Sequence, residues 1–125
     1  MADDVNVFDY THAAYIDMQS GQFTFVKLAA DKTVTMCDTS GEAMCGILQN
    51  NPKSGENAVV RHLGCSKLKG RATVAFGTLI TTDHSGMGLS ATMGSGDYVI
   101  CMNSEALASG KTSEVIVRGT PVRAK

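Results

Sequence analysis

The four cysteines are the first residues of this 125-residue chain that could do chemistry, as metal ligands, nucleophiles or disulfide partners. They stand at positions 37, 45, 65 and 101, separated by 8, 20 and 36 residues. Zinc sites usually draw two ligands from one tight turn, and the sequence has no C-x-x-C pair. Cys37 and Cys101 lie within apolar runs, where a thiol behaves as a small buried hydrophobe. We therefore predict free thiols, no metal site and no cofactor.

The three histidines, His12, His62 and His84, lie in separate segments, so only the fold could bring a nucleophile and a base together. His84 belongs to the segment 82–86, Thr-Asp-His-Ser-Gly, whose composition is typical of a hairpin turn. No G-x-S-x-G segment singles out a nucleophilic serine. A small enzyme that uses Cys65 or His84 stays open as an alternative, but we expect no enzyme.

The segment 86–91, Gly-Met-Gly-Leu-Ser-Ala, formally matches the dinucleotide-binding motif G-x-G-x-x-A. That motif binds a pyrophosphate only where it connects a strand to the first turn of a helix. Here Gly94 and Gly96 follow closely and interrupt any helix. We therefore predict no nucleotide site.

Composition narrows the class of protein. The length suits one domain. Lys and Arg number 11 against 12 Asp and Glu, and no basic cluster could neutralise a phosphate backbone. No segment approaches the roughly 18 apolar residues of a membrane span, and the first residues lack the basic and apolar regions of an export signal. We expect no nucleic acid partner, no membrane partner and a protein that stays where it is made.

Glycine gives the sequence its strongest regularity, because most of the 13 glycines stand between short β-branched runs. The runs predict nine strands, at 23–28, 33–37, 43–48, 58–62, 72–76, 78–82, 89–92, 98–102 and 114–118. One short helix is predicted over 104–109, with Ser104 as its N-cap and Gly110 as its C-terminal stop. The expected fold class is all-β, a small β-sandwich or barrel of about nine short strands with at most one short helix.

The two ends of the chain differ from the middle. Residues 1–20 mix acids with apolar side chains and have no glycine, so they form either an N-terminal arm or an edge strand of the same sheet. Residues 21–118 form the β-rich domain. Residues 119–125 are basic and are predicted to be a loose C-terminal tail.

A series of short motifs runs through residues 21–118. In order, they are Gly46-Ile47-Leu48, Asn51-Pro52, Gly55-Glu56, Ala58-Val59-Val60, Gly64, Gly70, Gly77-Thr78-Leu79-Ile80-Thr81, Asp83, Gly86, Ala106, Gly110 and 115–117. Their order resembles that of the capsid decoration, or cement, proteins of tailed bacteriophages. The resemblance implies a structural virion protein, made in the host cytoplasm, that binds the outer surface of the capsid. It also implies a homo-oligomer, with a trimer favoured, that stabilises the capsid by bridging major capsid protein subunits. The resemblance implies no catalytic residues, because the family has none that could be assigned to this chain.

The first 20 residues lie outside this resemblance and supply our hypothesis for the contact surface. We predict that five apolar residues contact the capsid or a neighbouring subunit: Val7, Phe8, Tyr10, Tyr15 and Ile16. An extended arm could add a strand to a neighbour's sheet edge while its side chains fill pockets.

The alternative function is a soluble β-sandwich module that binds a carbohydrate or another small ligand in a loop pocket. The absence of Trp and the presence of only three Tyr argue against this alternative, since sugars bind to aromatic platforms.

Overall fold

Short β-branched runs separated by turns give this chain a sheet architecture. The computed structural model describes residues 8–92 and 96–123, and over these ranges the chain forms strands and no helix. The strands are β1 (Phe8–Ala14), β2 (Phe25–Ala30), β3 (Thr33–Met36), β4 (Gly46–Leu48), β5 (Asn57–Lys69), β6 (Leu79–Thr82), β7 (Gly88–Ser90), β8 (Tyr98–Asn103) and β9 (Thr112–Arg123). The predicted all-β fold class is confirmed. Within the same ranges, no helix is available that could cross a membrane.

The first five strands close into a barrel. Their spatial order is β1-β3-β2-β4-β5, and β5 pairs back onto β1. β1 runs parallel to β3, whereas the other neighbours in the barrel are antiparallel. One apolar core is built from these strands and the segment after β1, and its buried members are Ala14, Met18, Val26, Val34, Leu48, Ala58 and Val60.

Strand β5 is 13 residues long and belongs to both the barrel and a second sheet. Its first part pairs with β1 and β4, and from Gly64 onward it pairs with β9, which is followed by β8, β6 and β7. Gly64 has a φ of +106°, a conformation that favours glycine, at the point where β5 changes partners. The second core contains Phe25 and Ile47, from the outer face of the barrel, together with residues of the second sheet.

Eight of the nine predicted strands overlap observed strands. The exception is 72–76, where Val74 makes only an isolated bridge to Leu107. The helix predicted over 104–109 is also wrong. Ser104 donates its backbone N–H to the carbonyl oxygen of Glu114, and Leu107 exchanges backbone hydrogen bonds with Val74. The backbone groups that would form helical hydrogen bonds are therefore paired with neighbouring segments.

The ends of the chain take part in the sheets. Residues 8–14 are strand β1, paired with β5 along most of its length and with β3 at its end. The structure differs from the predicted loose tail at residues 119–123, which continue β9 and pair with β8, because Val122 lies opposite Val99. Residues 1–7, 124 and 125 lie outside the described ranges.

Candidate functional surface

Apolar side chains that are exposed, or half-buried in the case of Leu79, lie next to one another across five neighbouring strands. Phe8 of β1 is opposite Leu63 of β5, and Cys65 of β5 is opposite Ile116 of β9. Ile116 is in turn opposite Met102 of β8, which is opposite Leu79 of β6. Leu63 and Cys65 are two residues apart on one strand and share its outer face. We call these six residues the apolar strip: Phe8, Leu63, Cys65, Ile116, Met102 and Leu79.

Alternation along the strands explains why the strip faces outward. Val115 and Val117 of β9 are buried, so Ile116 between them points to solvent and is 47% exposed. Met102 is 40% exposed for the same reason, since Cys101 and Asn103 on either side of it are buried. With strands about 4.8 Å apart, the strip extends for roughly 20 Å. Contiguous exposed apolar patches of this kind mark interaction sites.

Charged residues border the apolar strip. Arg61 binds the Asp9 carboxylate through two contacts, Nε to Oδ1 at 2.8 Å and Nη2 to Oδ2 at 3.1 Å. The Arg61 Nη1 group also donates to the carbonyl oxygen of Cys65 at 2.8 Å. This bidentate pair holds the start of β1 on β5 and raises the pKa of the Arg61 guanidinium. An apolar centre with a polar rim is the usual anatomy of a protein interface.

The predicted contact residues separate into two groups. Phe8 and Tyr10 contact each other, with ring centroids 4.6 Å apart, so Tyr10 extends the apolar strip at its β1 end. Tyr15 and Ile16 are exposed too, but they follow the opposite end of β1. At about 3.3 Å per residue, that end lies roughly 20 Å from Phe8. Val7 lies outside the described residues, and a contact role for all five stays a prediction.

Sequence reasoning assigned five members of the strip to no contact surface, although it named Cys65 for the alternative enzyme: Leu63, Cys65, Leu79, Met102 and Ile116. One signal was available, because three consecutive apolar residues stand at 115–117 in a predicted strand. With a side-chain period of two, such a run must place at least one apolar residue on each face.

The four cysteine thiols differ in how far they are buried. All four cysteines are free, with Cys37 and Cys101 buried as predicted, Cys45 half-buried and Cys65 exposed. Burial raises the pKa of Cys45 to about 11 and raises the pKa values of Cys37 and Cys101 as well. Cys65 is therefore the accessible thiol, and it lies in the middle of the apolar strip.

The hairpin turn predicted at 82–86 is confirmed, because β6 and β7 pair antiparallel on either side of it. The Asp83 carboxylate stabilises the turn by accepting backbone hydrogen bonds from Ser85 and Met87, each at 2.8 Å. His84 is exposed at the tip. In the part of the chain that the structure describes, no three His, Cys, Asp or Glu side chains are grouped so that they could hold a metal ion.

The other two histidines meet although 50 residues separate them. The Nε2 atoms of His12 on β1 and His62 on β5 are 3.3 Å apart. The Tyr10 ring lies beside both, with its centroid 6.1 Å from that of His12 and 5.1 Å from that of His62. Partial burial lowers the pKa of each imidazole, and the neighbouring His12 lowers the pKa of His62 further.

An open cleft of about 700 Å³ borders the strip beside Cys65. Most of its lining residues are polar, and they include Lys67, Glu105 and Glu114. Phe23 is its aromatic side chain, and the Lys67 ammonium lies 5.8 Å from the centre of that ring.

These features define an all-β domain, a closed barrel extended by a second sheet with an exposed apolar face. The fold is similar to that of the N base of head fiber gp8.5 of bacteriophage phi29, seen in a crystal structure. The two match with a TM-score of 0.68 over 94% of this chain and 98% of that chain, with 11% identical residues. The likeness shows that the two chains share a fold over nearly their whole length. No protein-family model and no curated protein matches the sequence.

Proposed function

We propose that this chain is a structural protein of a bacteriophage virion. In this role it binds the outer surface of the head and stabilises it by bridging major capsid protein subunits, without catalysing a reaction. The observation that carries the proposal is the fold shared with a phage head fiber base over 94% of this chain. The order of motifs along residues 21–118, which resembles capsid decoration proteins, supports it independently.

The apolar strip is the surface that we assign to the capsid. It lies on paired strands, so docking would order few additional groups and would cost little conformational entropy. Its exposed side chains would gain free energy from burial, while the Arg61–Asp9 pair at its border could match polar groups of the shell. Tyr10 would extend this contact. Tyr15 and Ile16, at the far end of β1, would contact a neighbouring copy.

A homotrimer on the outside of the shell suits this kind of binding. Three linked copies can hold a surface about 10² to 10⁴ times more tightly than one copy, because the second and third contacts form at high effective concentration. Opening the shell then requires breaking several bridges together. Sedimentation equilibrium of the purified protein measures the oligomer, and a monomer at micromolar concentration would contradict the trimer.

The proposal is tested with expanded heads that lack this protein, prepared from the phage that encodes it. We expect the purified chain to co-sediment with the heads and to raise the temperature at which they release DNA. Head binding with no gain in heat resistance would contradict the stabilising role. Absence of binding would overturn the proposed function.

A second candidate function is a small-ligand module that uses the open cleft of about 700 Å³. Lys67, Glu105 and Glu114 offer charged hydrogen-bonding groups there, and Phe23 offers one ring for stacking. Tight binding on a glycan array, with a matching rise in melting temperature and no binding to heads, would favour this function over ours.

A further inference from the structure

The histidine pair carries an inference that is independent of the proposed function. We propose that His12 and His62 form a binding site for a divalent transition-metal ion of the kind that prefers imidazole ligands, such as Zn²⁺, Ni²⁺ or Cu²⁺.

The distance between the two histidines fits this chemistry. Two ring nitrogens bound to one tetrahedral zinc ion, each about 2.0–2.1 Å from it, stand about 3.3 Å apart. The Nε2 atoms of His12 and His62 are 3.3 Å apart and share a hydrogen bond, and an ion bound by both would take the place of that bond. The ring centroids are 5.5 Å apart, and the two rings would tilt so that both lone pairs point at the ion.

The local structure of β5 positions His62 for this role. Phe8 is opposite Leu63 and Asp9 is opposite Arg61, so His62 is the extra residue of a β-bulge. Bulges redirect side chains and recur beside functional sites. The redirected His62 ring reaches His12, which lies further along β1, opposite Ala58.

The second nitrogen of the His62 ring is placed for a supporting contact. Since Nε2 faces His12, Nδ1 is the nitrogen left for it. His62 and Cys45 line the same surface cleft. Histidines that bind metals usually donate the other ring N–H to a carbonyl or carboxylate, which orients the ring and leaves the coordinating lone pair free.

The site has two protein ligands, because no third His, Cys, Asp or Glu of the described ranges completes a group around it. Water would fill the other positions, and both rings are accessible to it, since each is only half-buried. A bound ion would join β1 to β5 through side chains as well as backbone. It would thereby fix Tyr10, whose ring lies against both imidazoles.

The test uses the full chain, unaltered and in a Cys65→Ser background that removes the exposed thiol as a competing ligand. We expect saturable binding of Zn²⁺ and Ni²⁺ by calorimetry, with a rise in melting temperature that Mg²⁺ does not produce. The electron paramagnetic resonance spectrum of bound Cu²⁺ should show coupling to two histidine nitrogens.

Variants locate the site. His12→Ala and His62→Ala should each weaken Zn²⁺ binding by roughly tenfold or more, and the double variant should lose little beyond either single one, since both rings act as one chelate. His84→Ala, which removes the exposed histidine of the turn, is the matched control and should bind as the unaltered chain does. If an alanine variant fails to fold, the Cu²⁺ spectrum of the Cys65→Ser chain still decides. No saturable binding, coupling to fewer than two nitrogens, or equal loss in His84→Ala would overturn the proposal.

Discussion

Replacing Ile116 by threonine tests the apolar strip as the surface that contacts the head. Ile116 is 47% exposed in the free chain, so about half of its side chain remains to be buried on docking. Full burial of an isoleucine side chain contributes about 1.5–3 kcal/mol, which leaves about 1 kcal/mol for this contact. The hydroxyl of threonine adds about 1 kcal/mol or more of desolvation cost if it finds no partner. Together these terms predict a loss of about 2 kcal/mol, or roughly 30-fold, in affinity at each site.

The stability of the variant should change little. Threonine keeps the β-branched shape that suits a strand, and the side chain is half in solvent, so we expect the free energy of unfolding to fall by less than about 1 kcal/mol. Binding is measured by co-sedimentation with heads at increasing protein concentration. Phe76→Ser is the matched control, because Phe76 is 76% exposed and lies in a loop outside the strip. Unchanged binding by Ile116→Thr, or an equal loss in Phe76→Ser, would refute the assignment of this surface.

Four further predictions concern the fold. At pH 8 a thiol reagent should label one cysteine per folded chain and none in Cys65→Ser, as shown by mass spectrometry, because Cys65 is exposed while burial raises the pKa of Cys45 to about 11. In the unfolded chain the Cys45 thiol ionises near its ordinary pKa, so the free energy of unfolding should fall as pH rises from about 9 towards 11. A free energy of unfolding that stays constant over this pH range in urea titrations would contradict this. Gly46→Ala should lower the free energy of unfolding by about 1–3 kcal/mol in urea titrations, because a Cβ there would lie 2.6 Å from the carbonyl oxygen of Arg61. Asp9→Asn should speed amide hydrogen exchange in β1 but not in β8, because it removes the charge that Arg61 binds. An equal increase in the exchange rate of both strands would contradict the role of this ion pair in holding β1 on β5.

The class of fold was predictable because it depends on local patterns. Short β-branched runs between glycines mark strands wherever they occur, and eight of the nine predicted runs overlap observed strands. The face on which a side chain lies is harder to predict. Strict alternation along the predicted strand 23–28 would place Thr24 in water, on the face opposite Phe25, yet Thr24 is buried and its hydroxyl donates to the Gly21 carbonyl oxygen at 2.6 Å. This part of the chain lies between two apolar cores, so a simple alternation of polar and apolar residues does not describe it.

The surface features were harder to predict because they depend on register between distant strands. Ile116 becomes part of an apolar strip only when Cys65 and Met102 lie opposite it, and these residues are far apart in sequence. The meeting of His12 with His62 depends on a bulge in β5. A pairing that is shifted by one residue would reverse the face of every side chain in a strand. These strands are joined by long connections, so no local motif in the sequence predicts their register.

The length of β5 has a consequence for thermal cooperativity. The barrel and the second sheet have separate apolar cores, an arrangement that in other proteins allows one part to melt before the other. Here a single strand supplies backbone hydrogen bonds to both, on either side of Gly64. Disorder that begins in one half removes a strand from the other half. A calorimeter should therefore record one sharp heat-absorption peak in place of two.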